Sequence, residues 1–127
     1  MNNDIGLNYG IIGNCKSSAL INENSSIDWC CLPQFDSSSV FCKILDKDNG
    51  GSLKIECNDD FTISQKYLDK TAIIITTFKN YDSEFDVVDF MPRFKDDNDG
   101  YYSSPEIQRI LIPKKGTPSF KVVYSPK

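Results

Sequence analysis

Short apolar runs, broken by Gly, Asn, Asp, Ser and Pro, recur along the whole chain. "NYGIIGN" (8–14) and "SSALINEN" (17–24) are separated by Cys15-Lys16 and bounded by Gly or Asn, which predicts an opening hairpin. "SIDWCCL" (26–32) follows the polar cluster "NENS" as a third strand. In "LDKDNGGSLKIEC" (45–57) an Asn-Gly-Gly turn precedes alternating Leu53 and Ile55, a hairpin signal. "TAIIITTF" (71–78) sets Ala72, Ile74 and Phe78 against Ile73 and Ile75, as a strand covered on both sides does. "KNYDSE" then turns the chain into "FDVVDFMP" (85–92), where Phe85, Val87 and Met91 alternate with Val88 and Phe90. "EIQRILIP" (106–113) and "SFKVVYSP" (119–126), joined by "KKGTP", complete the set. Burial of Trp29, Ile73, Ile75, Val87 and Phe90 is expected from this pattern.

One stretch departs from it. In "SSVFCKILDK" (38–47), Val40, Phe41, Ile44 and Leu45 recur at near-helical intervals behind serines able to cap, which predicts a short helix. "RFKDDNDGYYSSP" (93–105) is acidic and polar and reads as a mobile loop. About nine closely spaced strands predict an all-β fold, an antiparallel β-sandwich, as a single domain over 1–127.

Charge and composition narrow the function classes. The chain has 127 residues, with 14 basic and 18 acidic side chains. It has no basic run, so neither nucleic acid nor an acidic lipid surface is an expected partner. Nothing approaches the ~20 apolar residues of a membrane span. The start, "MNNDIGLNYG", has no signal-peptide character. Five cysteines (Cys15, Cys30, Cys31, Cys42, Cys57) leave one unpaired and form no C-x-x-C. Reduced thiols and a cytoplasmic location are therefore expected.

Candidate chemistry is sparse. There is no histidine, so neither a Ser-His or Cys-His pair nor a zinc site is expected. An EF-hand frame counted from Lys95 places Asp97, Asp99, Gly100 and Glu106 suitably, but lysine at the first position repels calcium. No metal and no cofactor is expected. Asp28, Asp36, Asp86 and Asp89 could pair across a glycosidic bond, which needs carboxyls ~5–9.5 Å apart. Aspartates at strand ends more often form turns, Asp36 by accepting from the serine amides after it. Trp29 is either core or a sugar platform, with Tyr101 and Tyr102 as possible companions; a lone tryptophan in an apolar strand is more often core.

The order of four blocks is distinctive: Tyr9 to Gly13, Ser25 to Ser37, "GGSLKIE" with "KYLDKTAIIITTF", and Asp89 to Pro92. From about Ile5 to Tyr124, the chain resembles the amino-terminal domain of the glucoamylase and trehalase-like enzymes of glycoside hydrolase family 15. The family pattern reads Tyr-Gly-Leu-Ile-Gly, then Gly-Ser-Ile-Asp-Trp-Leu-Cys-Leu-Pro-Arg-Phe-Asp-Ser, then Asp-Phe-Met-Pro. The resemblance implies a supersandwich-like β domain packed on a separate (α/α)6 barrel. That barrel carries the acid and base glutamates that invert α-glucosidic bonds. It lies outside this chain, so no catalytic residue transfers and the chain alone is expected to be inactive. Trp29, Pro33, Gln34, Phe35, Asp36 and Ser37 are then candidates for a substrate-proximal or domain-interface role. The partner is the barrel in cis or trans, with α-glucan or trehalose as the sugar. A stand-alone module binding α-glucans is the alternative.

Three departures stand out. Gln34 replaces the customary arginine, losing a charge and a bidentate fork. Asn24-Ser25 stands for Asp-Gly, where asparagine tolerates a left-handed turn. The sandwich is expected to be incomplete at its C-terminal end, leaving an unpaired edge that favours homo-oligomers.

Overall fold

The computed structural model describes residues 8–98 and 100–127. Five strands fill the first half of the chain: β1 (Tyr9–Gly13), β2 (Ser18–Asn22), β3 (Ile27–Cys31), β4 (Ser39–Phe41) and β5 (Ser52–Glu56). The next three are β6 (Thr62–Tyr67), β7 (Ile74–Lys79) and β8 (Glu84–Phe90). Four more follow: β9 (Arg93–Lys95), β10 (Tyr101–Ser103), β11 (Gln108–Lys115) and β12 (Lys121–Ser125). There is no helix among the described residues, and the fold is an antiparallel β-sandwich.

One sheet runs β1-β2-β3-β5-β12, with β4 also on β3; the other runs β11-β8-β7-β6; β9 and β10 form a separate hairpin. Alternation follows from the period-2 pattern of the strands. Ile74, Thr76 and Phe78 of β7 and Phe85, Val87 and Asp89 of β8 are all buried. Cross-strand register arranges the inner face of the four-stranded sheet in rows: Tyr67-Ile74-Asp89-Arg109, then Gln65-Thr76-Val87-Leu111, then Ile63-Phe78-Phe85-Pro113.

These rows divide the core. Ile12, Ala19, Ile21, Ile27, Cys30, Phe41, Ile74 and Met91 form one buried cluster. Ile55, Phe78, Phe85 and Val87 form the other, where Phe85 stacks on Phe78 at 4.8 Å and on Phe120 at 4.7 Å between centroids. Gly10 lets β1 lie close to β7: a Cβ there would sit 2.5 Å from Cδ1 of the buried Ile74.

Several expectations are corrected. The stretch 38–47 is not a helix: Ser39–Phe41 pair with β3 and the rest turns, leaving Leu45 79% exposed. Tertiary pairing overrides the helical spacing because Phe41 is needed in the core opposite Cys30. The Asn-Gly-Gly run does not join neighbouring strands of one hairpin; β4 and β5 share the same side of β3, and β5 continues to β12. The 93–105 stretch is a hairpin rather than a loop, its turn closed by Asp96 Oδ1 accepting from the amides of Asn98 and Gly100, each at 2.9 Å. Asp99 and residues 1–7 lie outside the described residues. "TAIIITTF" is covered on one side only, and Ile73, Ile75, Phe90 and Trp29 are half-buried rather than core. At β12, Val122 and Tyr124 lie opposite Ile55 and Leu53, yet are 50% and 65% exposed. Among the described residues β5 is the only strand paired with β12.

Candidate functional site

The turn between β1 and β2 organises one end of the molecule. Asn14 is buried; its Oδ1 accepts from the amides of Lys16 (3.0 Å) and Ser17 (2.9 Å), an Asx turn that supports Cys15 at φ 70°. Its Nδ2 donates to Ser104 O at 2.9 Å, and its own carbonyl accepts Ser103 Oγ at 2.6 Å, fastening the β9–β10 hairpin. On the other flank, the Phe35 amide donates to Lys16 O at 3.0 Å, and Ser17 Oγ donates to Cys31 O.

The loop after β3 therefore projects beside this turn. It leaves through a cis Leu32-Pro33 bond and is closed by Ser37, whose amide donates to Gln34 O (3.0 Å) while its Oγ accepts the Gln34 amide (3.1 Å). Ser37, not Asp36, is the turn-forming side chain. Lys16, Gln34, Phe35 and Asp36 line an open cleft of about 320 Å³. Phe35 is 55% exposed. Pro33, Gln34, Phe35, Asp36 and Ser37 are thus brought together at one exposed site, and Lys16 adds a cation beside Gln34.

Trp29 is elsewhere. It lies on the outer face of the six-stranded sheet opposite Leu20, which in turn faces Ile11. Tyr101 and Tyr102 belong to the separate hairpin. The Arg93 guanidinium lies 4.1 Å from the Tyr101 ring, and Phe94 is 5.2 Å from Tyr102.

The four aspartates occupy four separate settings. Asp28 is the extra residue of a β-bulge, where Ile27 and Trp29 face the successive β2 residues Ile21 and Leu20. Its buried carboxylate accepts from Tyr9 OH (2.8 Å), Ser26 Oγ (2.5 Å) and Asn22 Nδ2 (3.3 Å). Burial, and secondarily this bond to Asp28, pushes the Tyr9 phenol up to about 12. Asp36 is exposed in the loop. Asp86 faces outward, accepting from Thr77 Oγ1 at 2.7 Å and lying 3.5 Å from Lys114 Nζ.

Asp89 is fully buried and gripped side-on by Arg109, Nε to Oδ1 at 2.6 Å and Nη2 to Oδ2 at 3.1 Å. Nη2 also donates to Ser25 O at 2.6 Å, and Nη1 reaches Leu53 O at 3.5 Å, so one side chain fastens both sheets. Burial pushes the Asp89 carboxyl above its usual range, and Arg109 opposes that shift. Ser25, rather than Asn24, adopts the left-handed conformation, with φ 68°.

Asn14, Lys16 and Arg109 were missed as site-forming residues. Only the asparagine after Gly13 carried a local signal, since Asn at a strand end favours an Asx turn.

The fold and its exposed 33–37 loop define a small antiparallel β domain. The chain belongs to the family described as trehalase-like, N-terminal, which matches residues 7–126. It is 40% identical over 106 residues to a trehalase of Thermoplasma volcanium, covering 81% of this chain and 16% of that enzyme. It is 46% identical over 84 residues to trehalase 1 of Sulfolobus acidocaldarius, covering 65% of this chain and 14% of the relative. A trehalase of Mycolicibacterium smegmatis is 32% identical over 73 residues, covering 58% and 11%. The chain thus spans less than a fifth of these relatives. No solved structure matches it.

Proposed function

We propose that this chain is the non-catalytic amino-terminal domain of a glucoamylase- and trehalase-like α-glucoside hydrolase of glycoside hydrolase family 15. It packs on the (α/α)6 catalytic barrel and shapes the sugar pocket. The observation that carries this is the family match over 7–126 combined with the small share of each trehalase that the chain spans. The engagement of Asp28, Asp86 and Asp89 by partners of their own supports it, because hydrolysis across a glycosidic bond needs two carboxyls free at one cleft. The 33–37 loop, with Phe35 exposed beside Lys16, is the element directed toward barrel and substrate. A cytoplasmic location accords with five free thiols, of which Cys30 is pushed up to about 11, chiefly by burial. No helix of the described residues is long and apolar enough to cross a membrane.

The test is a splice. The 127-residue chain alone is expected to hydrolyse neither trehalose nor maltose. Placed in the Thermoplasma volcanium trehalase in place of the matched segment, it is expected to leave trehalose hydrolysis intact. Sugar cleavage by the isolated chain would overturn the proposal.

A further inference from the structure

We infer that the outer face of the four-stranded sheet, in the half next to the β9–β10 hairpin, is the surface on which helices of the catalytic barrel pack. This rests on the domain role proposed above and names the face that performs it. Strand register places Ile75, Val88 and Ile110 in one row pointing away from the core. Ile75 and Val88 are half-buried, while Ile110 and its outward neighbour Ile112 are 44% and 43% exposed. Phe90 and Ile73, also half-buried, extend the row's apolar surface toward the hairpin. There Ala72, Ile73, Phe90 and Phe94 line much of a cleft of about 310 Å³.

The opposite half of the same face is polar. Thr77 bonds Asp86, and Lys114 Nζ lies 3.2 Å from Glu84 and 3.5 Å from Asp86. Ile112, opposite Asp86, stands in this polar row and marks the border of the apolar patch. Lys66 on the edge strand β6 ends the row, and the three β-branched residues inside it are what a sheet presents to a layer of helices. A cleft at the margin suits an anchoring side chain from the partner. The outer face of the six-stranded sheet offers less: in its Ile11-Leu20-Trp29 row only Ile11 is exposed, and Ile44 beyond it closes on Asp28 O. The occupant is set by length. Trehalases of which this chain matches 11–16% carry a much larger body joined to the matched segment, and that body is the occupant this face would meet first.

The experiment uses a Cys15→Ser background carrying either Ile110→Cys or Ile11→Cys. Maleimide labelling at each position, read by peptide mass, is compared between the isolated chain and the chain spliced into the Thermoplasma volcanium trehalase. Labelling at 110 is expected to slow by at least ~10-fold in the splice, as in a water-excluding interface, and at 11 to stay within about twofold. Equal rates at 110 in both contexts, or protection at 11 alone, overturns the inference. Trehalose hydrolysis is scored separately. An active splice with 110 unprotected sinks the face and spares the domain role; an inactive splice with 110 protected does the reverse. If the splice does not fold, the same two rates are measured with the chain mixed in trans with the remainder of that trehalase, under the same criteria.

Discussion

Replacing Ser25 by glycine is expected to stabilise the domain. Ser25 holds φ at 68°, a left-handed conformation that costs a side-chain-bearing residue roughly 1–2 kcal/mol. It is fully buried, and its Oγ has no hydrogen-bond partner, which costs roughly 1–3 kcal/mol more. Glycine removes both penalties and returns about 0.5–1 kcal/mol through the greater freedom of the unfolded chain. The net gain is about 2 kcal/mol, or roughly 6–10 °C in Tm for a domain of this size. The backbone bonds of the turn, Ser25 N to Asn22 O at 3.0 Å and Arg109 Nη2 to Ser25 O, are untouched. Urea and thermal unfolding of S25G and S25A separate the two contributions. S25A loses the hydroxyl but keeps the φ strain, so it should lie between wild type and S25G. A fall in Tm for S25G with an unchanged far-ultraviolet spectrum would refute the reasoning.

Truncating Arg109 to alanine strands a fully buried carboxylate and removes the donor to Ser25 O. A loss of about 3–5 kcal/mol in urea unfolding is expected, and the double replacement D89L/R109M should cost much less. Tyr9 gives a pH prediction. Its folded-state value is raised from 10.0 to about 12, so its contribution is complete below pH 10 and is lost as pH rises through 12. In spectrophotometric titration a late phenol step near pH 12 is expected, and Y9F should remove that step along with part of the alkaline loss of stability. An unchanged late step in Y9F would contradict this.

Strands whose apolar residues alternate without interruption, such as β7 and β8, were legible because burial on one face imposes that period. β6 was not, since its inward residues are Ile63, Gln65 and Tyr67; Gln65 bonds Asn22 O and Thr76 Oγ1 instead of packing, and Tyr67 OH accepts the Ile11 amide. β9 and β10 are three residues each and mostly exposed, so no periodicity can register. The loop 33–37 was readable from Pro33 and its polar followers. Its neighbour Lys16 was not, because that contact forms only when strands distant in sequence close up. The same holds for Asp89, whose local pattern reads as a strand-end aspartate while its partner arrives from β11, 20 residues later.

The Arg109 clasp also sets an order of assembly. It joins segments up to 84 residues apart, so the domain must be synthesised as far as β11 before the two layers can be locked. Until β11 emerges from the ribosome, Asp89 has no cation to meet inside the sandwich, and a nascent chain ending near β8 can close over its apolar cluster only by burying that carboxylate unpaired. Such intermediates would keep their apolar strands open to chaperones and proteases, and one late arginine becomes the checkpoint for a finished domain.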